Sequence, residues 1–161
     1  APHVALCVVR FVLGDLRLAV SLPSDNAARA GAARGASPGG LRHPASWLAG
    51  RRVVLVSGIG DPAAFERQVQ AAGAIVLGHL RHPDHHAFTA ADAERAARRA
   101  AGGDGVVCTL KDAVKLAARW PREAPPLWYV SQAVVVDRGA EALDRAMARV
   151  LAARSATALT A

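Results

Sequence analysis

The feature that most constrains the fold is an alternation of short apolar runs with helix-like segments, which begins at Arg51. Val53–Val56, Ala74–Leu77 and Val106–Thr109 are apolar runs of strand length. Segments with apolar residues at helical spacing follow them. Strands that alternate with helices form a parallel sheet with helices on its faces. The sequence therefore predicts an α/β fold: a three-layer lobe with a parallel sheet and helices on both faces.

Local signals mark where two of the helices begin. Asp61 and Pro62 are an N-cap residue and a proline at the first helical position. Thr89 and Asp92 have the spacing of a capping box, with Asp in place of the usual Glu. These pairs predict helices that start directly after Asp61 and directly after Thr89.

The N-terminal part of the chain has a different character. Val4–Leu13 is apolar, Leu16–Leu22 alternates apolar with polar residues, and Gly14 with Asp15 between them is a turn signal. We expect an extended hairpin or two extended strands, followed by a flexible connection over Ser24–Pro44. The predicted organisation is extended strands and linker at 1–22, a flexible connection at 23–46, an α/β lobe at 47–154 and a tail at 155–161.

Composition and charge narrow the choice of class without fixing a function. The 161 residues are 52% hydrophobic but only 4% aromatic, which predicts an aliphatic core and excludes a disordered chain. The net charge is +7, carried almost entirely by Arg. A phosphorylated ligand, nucleic acid, an anionic membrane surface and simple coding bias all remain compatible with that charge.

The two cysteines and the apolar runs indicate the compartment. Cys7 and Cys108 each lie in an apolar run, and no CxxC pair occurs, so we expect buried free thiols in a reducing compartment. No run reaches the roughly 18 apolar residues of a membrane span.

Three loops that directly follow predicted strands hold most of the chemically useful side chains. They are Gly58–Pro62, Arg81–Phe88 and Thr109–Asp112. In an open α/β sheet such loops meet at the carboxyl edge, where ligands bind. The sequence therefore places a candidate site at this edge.

The densest cluster is histidine-rich: four of the six histidines fall within eight positions, at His79, His82, His85 and His86, with Asp84 among them. Imidazole serves as a general base, a metal ligand or a phosphate partner. A polar surface loop, a metal site and a metal-dependent phosphoesterase stay open as interpretations of this cluster alone.

The other two loops are less specific. The run from Gly58 to Gly60 is neither GxxxxGK[ST] nor GxGxxG, so a tight turn competes with an anion site at the following helix. Thr109 and Asp112 are candidates for a helix cap, and Lys111 for a surface ion pair. The aromatic residues do not interleave with a basic run, so we expect no nucleic-acid partner.

Taken in order, the three loops resemble the C-terminal part of tetraacyldisaccharide 4'-kinases over about residues 47 to 151. The shared features are Gly-Ile-Gly-Asp-Pro from Gly58, Asp-His-His from Asp84, and Thr-x-Lys-Asp-Ala-Val-Lys-Leu from Thr109. The resemblance implies the C-terminal lobe of a P-loop kinase. Such enzymes transfer the γ-phosphate of ATP, with Mg²⁺, to the 4'-hydroxyl of a tetraacylated glucosamine disaccharide 1-phosphate.

The same resemblance implies a place and roles for particular residues. The implied partners are ATP, the lipid A disaccharide precursor and the inner-membrane surface, with the protein peripheral on the cytoplasmic face. His85 takes the catalytic position, near an Asp of the other lobe, and Asp84 supports it. The residues expected to line the cleft are Gly58, Gly60, Asp61, His86, Thr109, Lys111 and Asp112, and no metal ligand is assigned among them.

Two departures from the family pattern bear on activity. Leu110 stands where the family usually has Glu. The 161 residues also contain no GxxxxGK[ST] loop. We therefore expect that ATP and Mg²⁺ are bound mainly by an N-terminal lobe absent from this chain, and that the chain alone is inactive. The alternative is a non-catalytic module that binds an anionic lipid or a nucleotide.

Overall fold

The computed structural model describes residues 6–19 and 41–158. The predicted flexible connection over Ser24–Pro44 lies mostly outside the described residues, as does the end of the predicted tail. Where the chain is described again, Arg42–His43 forms a short strand rather than a flexible segment, because it pairs with the first strand.

In the part of the chain that the structure describes, six strands and four α-helices follow one another. The strands are β1 (Val8–Leu18), β2 (Arg42–His43), β3 (Arg52–Ser57), β4 (Ile75–Arg81), β5 (Gly105–Thr109) and β6 (Leu127–Arg138). The helices are α1 (Pro62–Ala71), α2 (Ala90–Arg99), α3 (Leu110–Ala117) and α4 (Ala140–Ala158), and Ala45–Leu48 forms a 3₁₀ turn.

The strands form one mixed sheet that is mostly parallel. Their order is β2-β1-β6-β5-β3-β4. β3 pairs in parallel with β4 and β5, β5 pairs in parallel with β6, and only the β1–β2 pair is described as antiparallel. The predicted α/β class with a parallel sheet is confirmed.

Strand β3 carries the core on both of its faces. Val53 and Leu55 are fully buried in one cluster with Phe65 of α1. Val54 and Val56 are buried in the other cluster, which contains residues of α2 and α3. Helices therefore cover both faces of the sheet, as the continuous apolar run predicts.

Both predicted helix starts are confirmed. The Asp61 carboxylate accepts a hydrogen bond from the Ala64 N–H at 2.8 Å, and Pro62 opens α1. Thr89 and Asp92 form a reciprocal capping box at the start of α2. These local interactions set the direction in which each helix leaves the sheet.

The turn expected at Gly14 and Asp15 is not there: β1 runs through both residues as one strand. A Cβ on Gly14 would lie 2.5 Å from Ser131 Oγ and 3.2 Å from the Ser131 carbonyl oxygen. Asp15 N–H also donates to Ser131 Oγ at 2.8 Å. Glycine at this position permits close approach of two strands, which a sequence cannot distinguish from a turn.

The two cysteines differ from each other. Cys108 is buried as expected, and burial raises the pKa of its thiol. Cys7 is only partly buried, because it precedes β1, whose first residues are exposed. The prediction of a buried thiol is therefore wrong for Cys7.

The chain divides into two compact units, one formed by residues 1–12 with 133–161 and the other by residues 13–132. In the smaller unit, Arg10 pairs with Asp137 at 2.9 Å, and Gly139 adopts a φ of +77° before α4. The larger unit contains the predicted site. Within the described ranges, no helix has both the length and the apolar character needed to cross a membrane.

Replacing Gly14 with Ala is expected to lower the free energy of unfolding by about 1–3 kcal/mol, since the added methyl group meets Ser131. Gly60→Ala is the matched control, because a Cβ there has no described atom within 4 Å. Urea unfolding of the two variants measures the difference. Equal stabilities would contradict the close approach of β1 to Ser131.

Candidate functional site

The three predicted segments meet at the carboxyl edge of β3, β4 and β5, and Gly58 lies at the meeting point. The prediction of a loop at Thr109–Asp112 is wrong, because Thr109 ends β5 and caps α3, which begins at Leu110. A Cβ on Gly58 would lie 3.2 Å from the Pro83 carbonyl oxygen and 3.4 Å from both His86 Cβ and Asp112 Oδ1. A side chain at this position would crowd the other two loops. The sequence prediction that these loops share one edge is in agreement with this arrangement.

Asp112, in the first turn of α3, connects that helix to the loop that follows β3. Its side chain is fully buried, and Oδ2 accepts hydrogen bonds from the Gly58 N–H at 3.1 Å and from the Thr109 hydroxyl at 2.7 Å. Oδ1 is also buried, and among the described residues it has no hydrogen-bond partner. Asp112 therefore has a structural role, in which its buried carboxylate binds the backbone of the loop after β3. Thr109 caps α3 by accepting a hydrogen bond from the Asp112 N–H.

Asp84 and Lys111 hold the residue that carries the predicted catalytic role. Lys111 Nζ donates to Asp84 Oδ1 at 2.5 Å, and the His85 N–H donates to the same oxygen at 2.9 Å. The hydrogen bond from Lys111 is the main reason that the pKa of Asp84 lies below its usual value. The Asp84 carboxylate therefore stays charged near neutral pH and links the loop after β4 to the first turn of α3.

His85 itself is exposed and has an unusual backbone. Its φ of 60° lies in the left-handed region, where histidine is more common than most residues with a side chain. Its side chain is 83% exposed, and Nε2 lies 3.8 Å from Asp84 Oδ2. The imidazole is therefore presented to solvent from a backbone that Asp84 and its partner Lys111 hold in place.

The remaining histidines of the loop are packed together. The His82 and His86 rings stack with centroids 4.3 Å apart, and both contact Phe88 edge-on. Burial, followed by the neighbouring His86, lowers the pKa of His82. His86 Nε2 lies 3.1 Å from Asp92 Oδ2, and the Lys115 ammonium donates to the His86 carbonyl at 3.0 Å. These contacts anchor the loop to α2 and α3.

Possible ligand atoms of His82, His86 and Asp92 lie within 4.8 Å of one another. Asp92 Oδ2 already accepts from the Thr89 N–H, the Thr89 hydroxyl and His86, and Oδ1 accepts from Arg95 at 2.7 Å. A metal ion would displace these donors and would lie beside the Arg95 guanidinium. The chemistry of the group is that of a hydrogen-bonded helix cap, and we assign no metal to it.

Gly60 and Asp61 stand apart from this meeting point. A Cβ on Gly60 has no described atom within 4 Å, and the Asp61 carboxylate is engaged as the cap of α1. Their predicted role in lining a cleft stays a prediction, as it does for the other cleft residues.

A group of polar side chains that the sequence did not predict, formed by His79, Ser57 and Glu66, lies beside the site. His79, the first histidine of the predicted cluster, is part of β4, because that strand extends to Arg81. Its ring contacts Ser57 of β3 and Glu66 of α1. The strand register explains these contacts. Leu55 of β3 pairs with His79, so His79 lies on the same sheet face as Leu55 and as Ser57, two residues further along β3.

Comparison with known proteins identifies relatives of this chain. The family model for tetraacyldisaccharide-1-P 4'-kinase matches residues 20–152. A tetraacyldisaccharide 4'-kinase from Anaeromyxobacter sp. (strain K) is 42% identical over 120 residues, which cover 71% of this chain and 32% of that protein. The kinase of the same name from Rhodospirillum centenum is 47% identical over 72 residues, covering 44% of this chain and 21% of that protein.

Among solved structures, the "apo" form of LpxK from Aquifex aeolicus in complex with ATP matches 88% of this chain and 35% of that one. The TM-score is 0.49 and the sequence identity is 19%. The matched region spans about a third of the length of the Anaeromyxobacter relatives.

Asp92→Asn is expected to lower the free energy of unfolding by about 1 kcal/mol at neutral pH, since the charged cap is lost. The hydrogen bond from the Thr89 N–H is the main cause that holds the pKa of Asp92 well below its ordinary 3.8 in the folded protein. The charged cap therefore stabilises the fold above about pH 4, and its contribution is lost as the pH falls through the folded-state pKa.

Urea unfolding of wild type and Asp92→Asn between about pH 7 and pH 2 measures this contribution. The stability difference should shrink on acidification. Glu94→Gln is the control, since Glu94 forms only an exposed pair with Arg98 on the same helix. A pH-independent difference for Asp92→Asn would show that folding does not lower the pKa of Asp92.

Proposed function

Because this chain belongs to the tetraacyldisaccharide-1-P 4'-kinase family, we propose that it forms the sugar-binding side of a lipid A 4'-kinase. The reaction transfers the ATP γ-phosphoryl group to the 4'-hydroxyl of a tetraacylated glucosamine disaccharide 1-phosphate. The bond from the γ-phosphorus to the bridging oxygen breaks, a bond from the 4'-oxygen to phosphorus forms, and the hydroxyl proton passes to a base. ATP would supply the phosphoryl group, and Mg²⁺ would neutralise its negative charge.

The observation that carries this proposal is the contrast between His85 and the residues around it. Hydrogen bonds between the loops and α3 hold the neighbouring residues Asp84, His86, Lys111 and Asp112. The His85 imidazole, in contrast, is 83% exposed. A group that touches a substrate must be accessible and also fixed in direction. We assign His85 the task of orienting the 4'-hydroxyl and helping to move its proton.

The positive charge near the exposed imidazole suits a phosphorylated sugar. Lys111 is 39% exposed and is paired with Asp84, so it can exchange part of that contact for an incoming anion. Leu110, which stands where the family usually has Glu, is about half exposed at the first position of α3. The loss of a carboxylate beside Lys111 leaves this edge less negative.

We further propose that the protein works at the cytoplasmic face of the inner membrane. Four acyl chains keep the disaccharide substrate in a bilayer, so the enzyme must meet it at a membrane surface. We also assign most of the ATP and Mg²⁺ contacts to a P-loop lobe that lies outside these 161 residues, since the curated relatives are much longer than the matched region.

His85→Asn in the full-length protein is expected to lower kcat by about 10²–10⁴-fold, the range typical for loss of a general acid or base. Asn also tolerates left-handed backbone, so the stability of the fold should not change. Arg98→Gln is the control, since Arg98 lies in the last turn of α2 and its ion pair among the described residues is the exposed one with Glu94. Unchanged turnover in His85→Asn would remove His85 from the mechanism.

The 161-residue chain alone is expected to transfer no phosphate, because it contains no GxxxxGK[ST] loop to hold the nucleotide. Transfer of label from γ-³²P-ATP to the lipid precursor measures this, with the full-length gene product as the positive control. Phosphorylation by the chain alone would overturn the division of labour. Failure of both proteins, with retention of anionic lipid, would favour a non-catalytic binding module.

A further inference from the structure

Three side chains form a continuous polar chain from α1 through β4 to β3. Glu66 Oε2 lies 2.9 Å from His79 Nδ1, and His79 Nε2 lies 2.7 Å from Ser57 Oγ. Arg81 Nη2 donates to the same oxygen of Glu66 at 2.7 Å. We refer to Glu66, His79 and Ser57 as the Glu–His–Ser chain.

The Glu–His–Ser chain is mostly removed from water. Ser57 is fully buried, the His79 side chain is 4% exposed, and the Phe65 ring meets the imidazole edge-on at 6.0 Å. Buried polar groups in such surroundings are stable only when they are fully paired. Both ring nitrogens of His79 have a partner here, so the imidazole is fixed in orientation.

The partners also fix where the ring proton lies. A carboxylate only accepts hydrogen bonds, so His79 Nδ1 must carry a proton toward Glu66. The hydrogen bond with His79 lowers the pKa of Glu66 most, followed by that with Arg81. Arg81 Nε lies 3.3 Å from the same ring nitrogen, a longer contact than the one to the carboxylate. In the neutral ring, Nε2 therefore accepts from the Ser57 hydroxyl.

The order Ser, His, Glu is that of a hydrolytic triad, but the burial of Ser57 excludes that use. A nucleophile must reach its substrate, and Ser57 has no exposed surface. The Glu–His–Ser chain therefore has a structural role within the protein and does not react with a substrate.

Ser57 is the point where β3 passes into the site. Its carbonyl accepts from the His82 N–H at 2.8 Å, and the next N–H, that of Gly58, donates to the buried Asp112. Gly58 in turn lies against Pro83 and His86, which flank the Asp84–His85 turn. A shift of Ser57 would therefore be passed to the loop that presents His85.

We propose that Glu66 and His79 are positioning residues, which hold Ser57 and the following backbone in place at the carboxyl edge. The link to catalysis rests on the proposed kinase function; the anchoring of the backbone does not. Neither residue belongs to the three motif loops that carry the family resemblance at this edge.

The test separates positioning from simple packing with a double variant. His79→Phe keeps a ring beside Phe65 but leaves the Ser57 hydroxyl unpaired, so it should destabilise the fold. Adding Ser57→Ala removes the orphaned hydroxyl, which should restore most of the stability, since replacing both partners of a buried hydrogen bond with apolar groups is nearly neutral. Arg67→Gln, on the exposed side of α1, is the control.

Amide hydrogen exchange in the 161-residue chain gives the decisive readout. In the double variant, protection of the Gly58 and His82 amides should fall at least about tenfold while global stability is kept. Unchanged protection at both amides in a stable double variant would overturn the proposal. Long-range ¹H–¹⁵N NMR of the wild type should show a proton on His79 Nδ1; a bare Nδ1 would also overturn it.

The full-length protein then tests the link to the reaction. The double variant should lower kcat and leave the KM for ATP unchanged, because the nucleotide is held elsewhere. Reduced protection without any fall in kcat would overturn the catalytic link and leave the anchor standing. If the wild type itself has no kinase activity, the exchange result still decides whether the Glu–His–Ser chain positions this backbone.

Discussion

The structure of the larger unit depends on one constraint: β3 must bury both of its faces. Its neighbours in the sheet, β4 and β5, pair with it in parallel, and parallel pairing requires crossover helices that cover the sheet. Val53 and Leu55 meet α1, while Val54 and Val56 meet α2 and α3. Because all three strands run the same way, their following loops arrive together at one edge.

That convergence explains why the site is built largely from carboxylates that hold protein groups. Asp112 fixes Gly58, Asp92 fixes the start of α2 and His86, and Glu66 fixes His79. Asp84 differs, since it lies at the surface and binds both Lys111 and the backbone of His85. Within the described part of the loop after β4, His85 is the histidine left exposed.

The sequence predicts the parts of this arrangement that are local. The caps at Asp61 and Thr89 involve residues three apart, so their spacing alone identifies them. The continuous apolar run of β3 identifies a strand covered on both faces. The shared edge of the three loops then follows from parallel pairing.

The parts that the sequence does not predict depend on contacts between distant residues. Gly14 has the signal of a turn, but its role is set by Ser131, 117 positions away. His79 and Arg81 are polar, so the sequence predicts a strand that ends at Leu77. β4 instead extends to Arg81, and Glu66 and Ser57 pair with the buried imidazole of His79. The orphaned Oδ1 of Asp112 likewise has no local signature.

The same division between local and distant contacts bears on how His85 acts. A left-handed φ at a residue with a side chain costs roughly 1–3 kcal/mol and persists only where the surroundings hold it. At His85 the surroundings are Asp84, which binds Lys111 of α3, and the stacked His82–His86 pair, which is bound to α3 through Lys115 and to α2 through Asp92. Weakening any one of these contacts would let the backbone of His85 relax without touching its imidazole. Variants at these contacts should therefore impair the orientation of the His85 imidazole.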